Sequence, residues 1–182
     1  DIDCMGSSLG IYRLAKDLGK EAYIVNNTTG ETISSFIEAL KEEKEYNDVL
    51  LNKSEALNKI SEETLLVVVD THKKSYVEVP ELLEKTNKIV IIDHHRRSPD
   101  FIENAILSFH EVYASSAAEL VTEILQYVET KVSLTTIETE GLYAGIMMDT
   151  KNFTFKTGVR TFEAAAYLRK KGVDLSLIHI SE

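Results

Sequence analysis

The chain has 182 residues, 43% of them apolar, one cysteine and a formal net charge of −10. That length and apolar share support one domain with a real core. The acidic balance excludes non-specific nucleic-acid binding through a broad basic face, no apolar run approaches membrane length, and the lone Cys4 excludes an internal disulfide and fits a reducing compartment.

The elements follow in order. The opening segment, from Asp1 to Ser7, reads as an extended strand-to-helix turn. It leads into an amphipathic helix over 6–18, with Ile11, Leu14, Ala15 and Leu18 at helical spacing and Gly19 as its stop. A short strand is predicted at 22–25, a charged helix at 34–45, and a polar surface connection up to Ser54. Residues 65–69 and 89–92 are β-branched and apolar, as buried parallel strands should be. Residues 79–85 read as the crossover helix between them, opened by Pro80. A weaker strand follows at 106–109, then helices at 114–128, 135–148 and 162–171, the last stopped by Gly172. Strands alternating with helices imply an α/β fold with a doubly wound, mainly parallel sheet. Both ends read as truncated: residues 1–175 are one domain that lacks its first strand, and 176–182, with His179, read as a non-native tail without function.

The chemistry gathers where core elements end. Asp70 and His72 close one strand, and Asp93, His94 and His95 close another; ligands of open α/β sheets bind at such carboxyl ends. Carboxylates suit hard cations and imidazole tolerates Mn, Fe or Zn, so the pattern points to a metal centre. Asp1 and Asp3, two apart on extended backbone, would point the same way, although one could instead cap the following helix. His94 and His95, adjacent on extended backbone, would point apart, leaving at most one as a ligand. Asp149 closes a helix against its dipole, a locally unfavourable place that calls for a functional reason. His72 reads as a support to the ligands, and His110 as a surface or core histidine. Ser115 and Ser116 fit a helix cap, whose N-terminus also suits a phosphate.

Four motifs occur in order: Asp1-x-Asp3-x-x-Gly6-Ser7, Asp70-Thr71-His72, Asp93-His94-His95-Arg96, and Asp149. They resemble the DHH phosphoesterase superfamily across residues 1–153. The run from Ala144 to Phe153 and the segment from Thr157 to Ala165 look like the GdpP-type cyclic-di-AMP phosphodiesterases of that superfamily. The resemblance implies a bacterial phosphodiesterase of nucleotide signalling that opens cyclic di-AMP to a linear dinucleotide. It would use two divalent ions, manganese, and an activated water. It implies Asp1, Asp3, Asp70, His94 and Asp149 as metal ligands, with Asp70 bridging. His95 and Arg96 would steady the phosphate or leaving group, and Ser116, Asn152 and Arg160 would contact substrate.

The family's first motif begins with a His four residues before the first Asp, a position ahead of Asp1, and a smaller substrate-gripping domain follows the family's first one. The parent would sit on the cytoplasmic face of the membrane, tethered only through preceding segments, while the 182 residues themselves would be soluble. Long nucleic acids are not expected as partners, and a homodimer stays open. The alternatives are an oligoribonuclease or 3′-phosphatase of the same superfamily, and a non-catalytic nucleotide-binding domain.

Overall fold

The computed structural model describes residues 1–27 and 33–173, so the expected tail at 176–182 lies outside the described residues. Helix α1 spans Ile2–Asp17, β1 Ile24–Val25, α2 Ser34–Glu42, β2 Leu50–Leu51 and α3 Lys53–Lys59. Strands β3 (Leu66–Val69), β4 (Ile89–Asp93) and β5 (Leu107–His110) follow, then helices α4 (Ala117–Tyr127), α5 (Thr136–Asp149) and α6 (Val159–Lys170). The fold is α/β, and every strand pairing is parallel: β3-β4-β5 form one sheet and β1-β2 a second.

Both faces of β3 and β4 are covered, which is why these strands are apolar runs rather than alternating, whereas β5, Leu-Ser-Phe-His, lies at the exposed edge. Val69 and Ile92 face a core built with Leu120, Val121, Leu142 and Ile146 of α4 and α5. Val68, Ile89 and Ile91 face the other way, onto Ile102. Helices α1 and α5 cross with almost no space between them: a Cβ on Gly6 would stand 2.2 Å from the Gly141 carbonyl oxygen. Gly6 is therefore a packing residue inside a helix and not a turn before one.

Three expectations change. First, α1 begins at Ile2, with Asp1 as its N-cap, so Asp1 and Asp3 lie on helical and not extended backbone. Second, the polar stretch before Ser54 holds β2, and α3 follows with an Asn52–Glu55 capping box. The expected polar connection misses it because a two-residue strand carries no periodicity. Third, the β3–β4 crossover is a 3-10 turn over Pro80–Glu84, as five residues are too few for a stable α-helix.

The long-range fit is fixed by a buried charge. Arg13 of α1 sends its Nε–H to both carboxylate oxygens of Glu138, at 3.1 and 2.9 Å, and pairs with Glu45. Glu138 also accepts from Tyr46 Oη at 2.8 Å and from the Thr135 N–H at 2.8 Å. This network ties α1, α5 and the segment before β2 together.

Candidate metal centre

Asp70, His94 and Asp149 come from the ends of β3, β4 and α5 and meet Asp3 of α1. His94 Nε2 lies 3.2 Å from Asp149 Oδ2, 3.4 Å from Asp70 Oδ1 and 3.8 Å from Asp3 Oδ2. Two groups of three ligating atoms result, each within 4.8 Å: Asp3, His94 and Asp149, and Asp70, His94 and His95. His94 belongs to both.

The local backbone explains the convergence. Asp70 leaves β3 at φ 61°, a left-handed conformation that costs a non-glycine residue about 1 kcal/mol. Its N–H still donates to the Ile92 carbonyl at 2.9 Å, so the strand holds while the side chain turns out of it. Asp3 is 1% exposed, and its two oxygens accept the N–H groups of Ala117 and Ala118, each at 2.8 Å. It thereby fills the N-terminus of α4, the position expected to suit a phosphate. Ser116 is buried there too, and its hydroxyl accepts from the Glu119 N–H at 3.0 Å. Its role in this structure is capping, because a carboxylate of the chain already occupies the anion position.

The electrostatics are those of a site short of positive charge. Burial raises the Asp3 carboxyl well above the usual range, and the nearby Asp70 and Asp149 raise it further against the two N–H donors. Burial opposes the charged form of His94, but Asp149, Asp70 and Asp3 around it overcome that and hold it up to about 10. Asp70 Oδ1 and both ring nitrogens of His94 are buried without a hydrogen-bond partner. Buried polar atoms are almost always satisfied, so orphans concentrated at one spot ask for a ligand. Among the described residues no Lys or Arg forms an ion pair with Asp3, Asp70 or Asp149. Carboxylates plus imidazole around orphaned atoms fit a divalent cation.

A third cluster, His72, Asp93 and His110, does not fit one. Asp93 is fully buried and bonds His72 Nδ1, while the Ser98 N–H donates to His72 Nε2 at 2.9 Å. Both nitrogens of His72 are thus taken, with the proton on Nδ1. His110 Nε2 bonds the His95 carbonyl. Asp93 Oδ1 also accepts from the backbone of His94 at 2.9 Å and from His95 Nδ1 at 2.8 Å. Burial works against the Asp93 charge, but the bonds from His95 and His72 hold its carboxyl far below the usual range. Its bond to Asp93 raises the His95 imidazole in turn. This cluster is a brace that sets the directions of the two neighbouring histidines. His94 and His95 do not point apart as expected: their rings lie 4.4 Å from each other, because the chain leaves extended geometry after Asp93.

The other expected site residues divide. Arg96 lines a cleft of about 370 Å³ that opens beside Asp70 and His95. Asn152 is exposed in a left-handed turn just after Asp149, with φ 57°. Arg160 is committed to Glu123, at 2.7 and 3.0 Å, and is not brought to the cluster. Asp1 is exposed, accepts the Cys4 N–H at 3.0 Å as a cap, and stands outside both ligand groups. Lys73, Tyr76 and Lys156 share the cleft. Sequence reasoning passed over them because surface lysines and tyrosines carry no pattern of their own.

The chain can be compared with known proteins at this point. It is 43% identical over 180 residues to the cyclic-di-AMP phosphodiesterase GdpP of Bacillus subtilis, a match that takes in 98% of the chain and 27% of that protein. The cyclic-di-AMP phosphodiesterase PdeA of Listeria monocytogenes is 44% identical, with the same coverages. The chain therefore spans about a quarter of the length of these relatives. An exopolyphosphatase-related protein of Bacteroides fragilis shares the fold, with a TM-score of 0.79 at 20% identity over 98% of the chain and 52% of that structure. Among the described residues no helix is long and apolar enough to cross a membrane. The DHH family, N-terminal domain, matches residues 1–146, and the chain belongs to that family.

Proposed function

We propose that the chain is the metal-binding part of a phosphodiesterase that hydrolyses cyclic di-AMP to a linear dinucleotide. The observation that carries the reading is the meeting of Asp3, Asp70 and Asp149 on His94, with Asp70 Oδ1 and the His94 nitrogens buried and unpaired. The names of the two relatives above supply the substrate. The ligand groups support divalent ions, manganese: Asp3, His94 and Asp149 would hold one, and Asp70 would be shared with a second. Asp1 would join them only by turning away from the Cys4 N–H it now caps.

Bound ions supply charge to the phosphate and lower the pKa of the attacking water. The chain's residues do the rest. Asp93 fixes Nδ1 of His95, which leaves Nε2 to donate a proton to the departing 3′ oxygen as water attacks phosphorus and the P–O3′ bond breaks. Arg96, at the cleft, offers a planar fork to the phosphate oxygens. Asn152, beside the cluster, would contact substrate, whereas Arg160 and Ser116 would first have to give up Glu123 and the α4 cap. Membrane tethering on the cytoplasmic face, through segments of a longer protein, completes the proposal.

The test measures bound manganese and cyclic di-AMP hydrolysis for Asp70→Ala beside Asp1→Ala in a longer protein with the preceding and following segments, since the 182 residues alone are expected to be weak or inactive. Loss of Asp70 should abolish both, because it removes a central ligand. Loss of Asp1 should mainly remove a helix cap worth about 1 kcal/mol. Equal residual rates with equal bound metal in the two variants overturn the assignment. A side-by-side assay with short RNA and polyphosphate separates this reading from the other phosphoesterase activities.

A further inference from the structure

The cleft beside the cluster has a chemistry the ligand set does not explain. Three cationic side chains, Lys73, Arg96 and Lys156, line it together with Tyr76, on a chain whose net charge is −10. Three surface cations are held by carboxylates, Lys53 by Glu81, Lys88 by Glu63 and Arg160 by Glu123. Among the described residues none of the three cleft cations has such a carboxylate partner. Three cations lining one hollow of an acidic protein make that hollow suited to an anion.

Two further observations point the same way. Lys156 sits at φ 49°, a conformation that favours glycine, at the end of a loop whose residues Lys151, Asn152 and Phe153 are also left-handed. Such strain, held on a non-glycine residue at the rim of a site, marks a place where the side chain is wanted. Tyr76 is 68% exposed, and the Lys73 ammonium stands 4.5 Å from its ring centroid. Lys73 is itself anchored by a bridge to Phe101 and by its N–H on the Thr71 hydroxyl at 3.2 Å. An exposed ring with a cation at one face leaves its other face open to stack a nucleobase next to a phosphate.

We propose that Lys73, Tyr76 and Lys156 form a second subsite that takes the non-reacting phosphate and one adjacent base of a dinucleotide. This rests on the phosphodiesterase reading above and names the part of the substrate that reading leaves unheld. At about 370 Å³ the cleft lies at the small end of ligand sites, enough for one end of a dinucleotide and not for all of it.

The experiment measures dissociation constants of cyclic di-AMP and of inorganic phosphate for the manganese-loaded protein. Inorganic phosphate has no base and a single phosphate, so its tightest binding reports on the metal end. Tyr76→Ala and the double variant Lys73→Ala with Lys156→Gly should weaken cyclic di-AMP about tenfold or more. That loss should exceed the loss for inorganic phosphate at least fivefold. Tyr76→Phe and Lys156→Arg should restore binding. Lys156→Gly relieves the left-handed strain, so its unfolding temperature should not fall, and weakened binding cannot then be blamed on the fold. Equal losses for the two ligands, no loss, failure of Tyr76→Phe to bind better than Tyr76→Ala, or no binding of cyclic di-AMP by the parent protein would each overturn the subsite. Failure of the phosphodiesterase reading looks different: cyclic di-AMP is bound with the predicted variant pattern and is not cut.

Discussion

Gly145 of α5 lies where α1, α4 and α5 meet, and its replacement by alanine tests whether helix packing sets the metal centre. A Cβ at this position would stand 2.8 Å from Asp3 Oδ1, 2.9 Å from Asp3 Cα and 3.0 Å from the Ala118 Cβ. None of these is the end of a flexible side chain. Alanine gains about 1 kcal/mol over glycine in a helix, and overpacking costs about 1–3 kcal/mol, so the fold should lose about 0–2 kcal/mol. The site should lose more. Restoring an ordinary contact of 3.4 Å drives the Asp3 carboxylate off its present place. That shift is roughly half an ångström; since 1 Å of misplacement costs on the order of a hundredfold, the expected loss in turnover is about tenfold. Urea unfolding in EDTA reads the first effect, and manganese titration with cyclic di-AMP hydrolysis reads the second. Gly141→Ala is the comparison: its Cβ meets the tip of the Phe36 ring at 3.0 Å, which can swing away, and the Gly6 Cα at 3.3 Å, a contact a tenth of an ångström short of ordinary, and touches no ligand. The reasoning fails if Gly145→Ala binds manganese and turns over like the parent, or if Gly141→Ala impairs the metal centre as much.

Two other outcomes are expected. Without metal, the unfolding temperature should fall as pH rises from about 6.5 to about 10. His94 is held up to about 10 against an ordinary 6.5, so the folded chain keeps a proton that the unfolded chain releases. That stability is full below 6.5 and gone above 10, and saturating manganese, which takes the proton's place, should flatten the slope. A flat profile in EDTA contradicts this. Arg13→Ala should cost about 3–5 kcal/mol in urea unfolding, because Glu138 is left charged and fully buried without its cation. A loss under about 1 kcal/mol would show that Tyr46 and Thr135 suffice to hold Glu138.

What was legible in the sequence depended on range. Strands β3 and β4 were readable because both faces are buried, so each is an unbroken apolar run with an acid where it ends, Asp70 just past β3 and Asp93 as the last residue of β4. Asp149 was readable because an acid at a helix C-terminus is out of place locally. The start of α1 was not, since Gly6-Ser7 mimics a turn; only the closeness of Gly141, far along the chain, explains that glycine. The pointing of His95 was missed because alternation holds only while the strand lasts, and the strand ends at Asp93. Arg13 and Glu138 stand 125 residues apart, and Lys73 and Lys156 come from separate loops, so no spacing rule could join them.

The carboxylate of Asp3 does two unrelated things at once. It faces the metal centre, and it terminates α4 by taking two of that helix's N–H groups. Asp149 shows no such second duty among the described residues: its side chain is half-buried at a helix end and faces His94 and Asp3. The two acids should therefore answer differently to the loss of catalysis. A relative that no longer cuts phosphodiesters still needs Asp3 to close α4, but has nothing to hold Asp149 in place. On the proposed reading, the acid in α1 of a newly met sequence of this family would report that the domain folds, and the acid closing α5 that it works. A motif count that weighs the two equally would mistake a silent domain for an enzyme.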